Sequence, residues 1–127
     1  VMTIHSDDGL DEFSCAAPTR CVFASSDGER REFVFDPAEA GIRGCSSDDL
    51  AGGTAEDNAA IARRLMAGEE TGGVLDAVCL NAGAGLFLAG KSTDIAAGYT
   101  MAKDAFASGK VKAKMDEIVG TANGLMK

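Results

Sequence analysis

Histidine is all but missing from this sequence, which holds only His5. A lone imidazole cannot build a multi-histidine metal centre, and no Ser-His-Asp or Cys-His arrangement can be assembled around it on a known spacing. Beside a strand end, His5 reads as a hydrogen-bonded structural residue rather than as a base or ligand. Also absent is any CxxC pair among Cys15, Cys21, Cys45 and Cys79, so structural zinc is disfavoured. Long apolar runs are lacking too. The longest stretches are broken by Asp76, Asn81 or glycines, and none approaches the roughly 20 residues that span a bilayer. Basic charge is scarce, with 12 Lys and Arg against 20 Asp and Glu and a net charge of −8. The average surface field would repel a phosphate backbone, so nucleic acid is not an expected partner, and without a spanning segment neither is a membrane.

What remains is the balance of a folded globular chain: 46% apolar and 25% charged residues over 127 positions, enough for one core. The scattered cysteines read as small reduced core residues, which points to the cytoplasm. The chain opens on Val1-Met2-Thr3-Ile4, already strand-like and with no preceding cap or turn. That start predicts a piece of a larger protein, whose preceding segment packs beside Val1.

β-type residues concentrate before about position 36, and alanine-rich helical periodicity follows after about position 55. Thr19–Ala24 and Arg30–Phe35 form a predicted hairpin about Ser26-Asp27-Gly28-Glu29, whose residues tolerate positive φ. Asp36-Pro37 ends the second strand, since proline cannot donate to a ladder. The Gly- and Ser-rich segment through Gly53 is a connecting loop. Thr54-Ala55-Glu56-Asp57 resembles a helix cap, and Ile61, Leu65 and Met66 share one face of a helix over 55–67 that Gly68 stops. Two apolar rows, Val74/Val78/Ala82/Leu86 and Leu75/Cys79/Gly83/Phe87, predict a buried helix from Val74 to Ala89. Ile95, Tyr99, Ala102 and Phe106 line a third helix. Val111, Met115, Ile118 and Val119 line a fourth that carries three lysines.

After the first strand, Asp7-Asp8-Gly9-Leu10-Asp11-Glu12 crowds four carboxylates into six positions. Such crowding raises proton affinities unless a cation or hydrogen-bond donors compensate. Magnesium fits best, because it takes one or two protein carboxylates and completes its shell with water and substrate phosphates. Adjacent Asp11 and Glu12 could supply them. A solvated acidic turn, or a helix start favouring acidic side chains, is the alternative reading.

Gly85-Leu86-Phe87-Leu88-Ala89-Gly90-Lys91-Ser92 satisfies the P-loop pattern letter for letter. Its context opposes nucleotide binding, since four apolar residues here complete the helical stripe begun at Val74, where a P-loop needs a strand and exposed amides. Small residues from Ala82 to Gly85 suit close helix packing. Asn81 inside that apolar helix must find hydrogen-bond partners if buried, which makes it a structural clamp sooner than a ligand.

His5-Ser6-Asp7-Asp8-Gly9-Leu10-Asp11-Glu12-Phe13-Ser14, Ala17-Pro18-Thr19, Gly52-Gly53-Thr54-Ala55-Glu56-Asp57-Asn58-Ala59 and Leu80-Asn81-Ala82-Gly83-Ala84-Gly85-Leu86 together resemble the anthranilate phosphoribosyltransferase family in order and spacing. The resemblance covers nearly the whole chain but only the last third of the family's sequence. It implies an α/β fold: the C-terminal part of the large α/β domain of a phosphoribosyltransferase resembling the nucleoside phosphorylase fold, with short strands and a hairpin followed by about four helices. Residues 1–127 would be a single partial domain. The implied enzyme is a glycosyltransferase that joins anthranilate to phosphoribosyl pyrophosphate in tryptophan biosynthesis, with Mg2+ as cofactor held by the family's metal-binding Asp-Glu at Asp11 and Glu12. Family dimers form through a helical domain absent here, so a homodimer is expected of the complete enzyme. The ending after Lys110 looks like the family's own C-terminus.

Ser6 stands where the family usually has glycine after the histidine, and Ala17 stands where glycine usually precedes Pro-Thr; neither removes a metal ligand. The family's glycine-rich phosphate loop, its Asn-Arg-Ser segment and its anthranilate contacts all belong upstream of Val1. No catalytic residue is therefore expected in this chain, which alone should not catalyse. Two other readings are a non-catalytic divergent relative and a protein resembling pyrimidine nucleoside phosphorylase, though Asp11-Glu12 favours the transferase.

Overall fold

The computed structural model describes residues 1–43 and 45–125; Gly44 of the connecting segment and the final two residues lie outside it. Strands β1 (Met2–Ser6), β2 (Thr19–Ala24) and β3 (Arg30–Phe35) form an antiparallel sheet in that order, with β2 central. The register sets Ile4 against Cys21 and Cys21 against Phe33. Side chains alternate across a strand, so Ser6, Cys21 and Phe35 point inward while His5 and Arg20 face outward.

Two short 3-10 turns, Pro37–Ala40 and Ser47–Leu50, break up the connecting segment. Helices α1 (Ala55–Ala67), α2 (Gly73–Leu88), α3 (Ile95–Ala107) and α4 (Lys110–Leu125) follow. The cap at α1 forms as read: Asp57 N–H donates to Thr54 Oγ1 at 3.2 Å, Thr54 N–H donates to Asp57 Oδ2 at 3.0 Å, and Gly68 closes the helix at φ 74.

The core lies between one sheet face and the pair α2 and α3, with Phe13, Cys21, Phe35, Cys79, Leu80, Ile95 and Tyr99 at its centre. Burying a side chain such as that of Phe13, 2% exposed, contributes about 1.5–3 kcal/mol. Gly83 and Gly98 let α2 and α3 meet backbone to backbone. A Cβ on Gly83 would sit 2.3 Å from the Tyr99 nitrogen, and one on Gly98 would sit 2.3 Å from the Gly83 oxygen.

Two expectations change. The helix at 73–88 is not buried all round, because only the row through Leu75, Cys79, Gly83 and Phe87 turns inward with Leu80 and Ala84. Val78 and Ala82 of the other row are exposed. Two adjacent rows look alike in sequence, but a single sheet can cover only one side. Met115, Ile118 and Val119 of α4 are exposed as well. Finally, the cysteines are not all reduced. Cys21 and Cys79 are buried free thiols, whereas Cys15 and Cys45 form a disulfide; the fold brings positions 30 residues apart to a Cα separation of 5.8 Å, which no local spacing announces. The P-loop look-alike is helical as expected, since Gly85–Leu88 is the last turn of α2.

Candidate functional site

The acidic loop leaves β1 at Ser6 and returns to β2 at Thr19, so its two ends are neighbours in the ladder. A loop without regular structure must satisfy its backbone groups with turns and side chains. Asp8 does much of this. Its Oδ1 accepts from Leu10 N–H at 3.3 Å, and its Oδ2 accepts from the Ser14 hydroxyl at 2.6 Å. Ser14 Oγ in turn accepts from Ala16 N–H at 2.9 Å and Ala17 N–H at 3.2 Å, while Ser14 N–H donates to Thr19 Oγ1 at 3.3 Å. Gly9 makes the turn at φ 92, open only to glycine at little strain. The Ser14 hydroxyl holds the Asp8 carboxyl below the ordinary carboxylate range, helped by Ser6 and Leu10.

Asp7 is paired with Arg20 at 2.9 Å on the exposed sheet face, an ion pair of small energetic weight in water. The four carboxylates thus divide by environment. Asp7 and Asp8 have protein partners. Asp11 and Glu12 are exposed, and among the described residues no hydrogen bond or ion pair engages either carboxylate.

These two residues face a cavity of about 430 Å³, which Leu10, Gly52, Asn58 and Asn81 also line. Three segments distant in sequence therefore converge on one space: the acidic loop, the Gly52–Asn58 turn and the middle of α2. Asn58 braces the second of these, its Oδ1 accepting from Gly53 N–H at 3.0 Å and its Nδ2 donating to Gly53 O at 3.3 Å. The Ala17-Pro18-Thr19 segment does not reach the cavity but supports the loop from behind, where Pro18 O accepts from Asp7 N–H at 2.9 Å and from the buried Ser6 hydroxyl at 3.3 Å. His5 is exposed across from Arg20 and is not a cavity residue.

Two carboxylates facing a cavity are a donor set that could hold magnesium. Among the described residues no three His, Cys, Asp or Glu side chains gather into a cage, and magnesium needs only one or two carboxylates where phosphates supply further ligands. The Asp8–Ser14 contact was not foreseen. An Asp-Gly step signals an Asx-type turn, but nothing marks the serine six positions on as its partner.

A three-stranded sheet backed by helices, with a carboxylate pair on a loop at its edge, defines an α/β domain, and the chain belongs to the family described as "Glycosyl transferase family, a/b domain", which matches residues 1–112. Within it, the chain is similar to anthranilate phosphoribosyltransferases: 42% identical over 120 residues to that of Geotalea uraniireducens, covering 94% of this chain and 34% of the relative. The enzyme of Laribacter hongkongensis is 42% identical over 93% of this chain and 34% of its own length. The crystal structure of anthranilate phosphoribosyltransferase from Thermus thermophilus matches with a TM-score of 0.82 at 35% identity, over 94% of this chain and 34% of that one. The resemblance read from the four motifs thus holds across nearly the whole chain, which spans 34% of the length of each of these relatives.

Proposed function

We propose that this chain works as the C-terminal part of the α/β domain of an anthranilate phosphoribosyltransferase, transferring phosphoribosyl from phosphoribosyl pyrophosphate to anthranilate in tryptophan biosynthesis. Asp11 and Glu12 are its contribution to the site, as magnesium ligands. The observation that carries this reading is their environment: alone among the four loop carboxylates they face a cavity without a protein partner. Magnesium bound there would place positive charge beside the departing pyrophosphate. The chain's own work is to hold the two carboxylates ready, so that little reorganisation is needed when charge develops.

The rest of the enzyme would bring the phosphate loop, the anthranilate contacts and the helical domain through which a homodimer forms, and residues 1–127 would be a partial domain. A biosynthetic enzyme of this kind belongs in the cytoplasm. Among the described residues no helix is long and apolar enough to cross a membrane.

The deciding experiment is turnover and magnesium titration of the full-length enzyme carrying Asp11→Asn with Glu12→Gln. A loss on the order of 10²-fold in kcat, with the magnesium dependence flattened, is expected. Unchanged turnover and metal dependence would show that these residues are not the ligands.

A further inference from the structure

An asparagine in a helix interior is unfavourable by propensity, because its side chain competes for backbone partners. Asn81 occupies such a place in α2, and its amide is committed in full. Oδ1 accepts from Phe13 N–H at 2.9 Å. Nδ2 spends one hydrogen on Phe13 O at 2.9 Å and the other on Ala77 O at 3.0 Å. One side chain thus satisfies both backbone groups of a single residue 68 positions away, as a neighbouring strand would.

Phe13 cannot slide under this grip. Its ring is 2% exposed and meets the Phe35 ring edge-on at 5.7 Å. The adjoining residues on the N-terminal side are Asp11 and Glu12, which lie in a bend with no ladder of their own. Asn81 also lines the same cavity as the two carboxylates. Asp8 and Ser14 close the loop on itself, while Asn81 ties it to the helical layer.

We propose that Asn81 is a positioning residue for the Asp11–Glu12 metal site, setting the peptide at Phe13 so that the two carboxylates meet a phosphate-bound magnesium already oriented. This rests on the assignment of Asp11 and Glu12 as ligands. Groups that orient ligands from behind commonly govern metal affinity by about 10- to 100-fold, and Asn81 acts in this way through the backbone.

The test is calorimetric titration of magnesium pyrophosphate into the full-length protein, a binding measurement independent of turnover, beside thermal melts of each variant. Asn81→Leu keeps the branched shape, with bulkier methyl ends, and removes both bonds to Phe13; Asn81→Ser is polar but too short to span the gap. Both should bind magnesium pyrophosphate at least about 10-fold more weakly, and Asn81→Gln, which keeps the amide, should recover part of the loss. Tyr99→Phe is the control for plain destabilisation, since it deletes the 2.6 Å bond from Tyr99 to Asp76 elsewhere on α2; it should lower the melting temperature and leave the affinity alone. Should Asn81→Leu fail to fold, Asn81→Ser carries the comparison. Wild-type affinity in the folded Asn81 variants, with Asp11→Asn and Glu12→Gln abolishing binding, overturns the role of Asn81 alone. Wild-type affinity in the Asp11→Asn, Glu12→Gln protein overturns the metal site itself.

Discussion

At the scale of single residues, partners divide like from like. Asp8 and Asp11 are three positions apart and chemically identical, yet Asp8 is consumed by Ser14 and Leu10 while Asp11 faces a cavity. Ser14→Ala should leave Asp8 and the amides of Ala16 and Ala17 without their shared hydroxyl, at about 1–3 kcal/mol of stability by urea denaturation. It should also move Asp8. A carboxyl whose folded pKa lies below its ordinary 3.8 contributes stability above that value and loses it as pH falls through the lowered one. In Ser14→Ala, an NMR titration should find the Asp8 midpoint raised toward 3.8, and an unmoved midpoint would show that the serine is not its main donor. Composition and spacing marked this loop, and the resemblance singled out Asp11 and Glu12. The Asp8–Ser14 pairing was not legible, because a hydrogen bond between side chains six apart in a loop depends on a path that no periodicity encodes.

At the scale of elements, local chemistry was a good guide. The strands at 19–24 and 30–35 and the helix at 55–67 fall where alternation, turn residues and the Thr54–Asp57 cap place them, because these signals act within a few residues. Partnership between elements was less visible. Gly83 and Gly85 look interchangeable in sequence but stand in opposite surroundings: a Cβ at Gly83 meets the α3 backbone, whereas one at Gly85 meets nothing within 4 Å. Gly83→Ala should therefore destabilise the chain by about 1–3 kcal/mol through overpacking. Gly85→Ala, in an open helical position, should stabilise it by about 0.5–1 kcal/mol. Urea denaturation of the two variants checks both signs, and a shared sign would mean that α2 and α3 do not approach as closely as described. The same helix geometry disposes of the P-loop match, since residues within the last turn of α2 present no cradle of free amides to a phosphate.

At the scale of the whole molecule, the sheet has β1 and β3 as open edges, and apolar side chains stand exposed on several elements. Val78, Ile118 and Val119 are 41%, 54% and 49% exposed. Unpaired strand edges and exposed apolar rows promote association. Residues 1–127 alone are expected to elute from a sizing column above the position of a 13.0 kDa monomer and to transfer no phosphoribosyl group. If the chain works as part of a transferase, as proposed, a second polypeptide equivalent to the rest of its relatives' length should suppress that association and bring turnover. A monodisperse, active isolated chain would overturn the reading as part of a larger enzyme. By itself the sequence determined the element types and their order, the helix cap and the failure of the P-loop match, all of them consequences of short-range geometry and composition. Only the tertiary structure decided which of two apolar rows on α2 is covered, that Cys15 meets Cys45, and that Asn81 grips Phe13 from 68 residues away. Those depend on how a sheet and two helices pack into one another, and packing is settled by every contact at once.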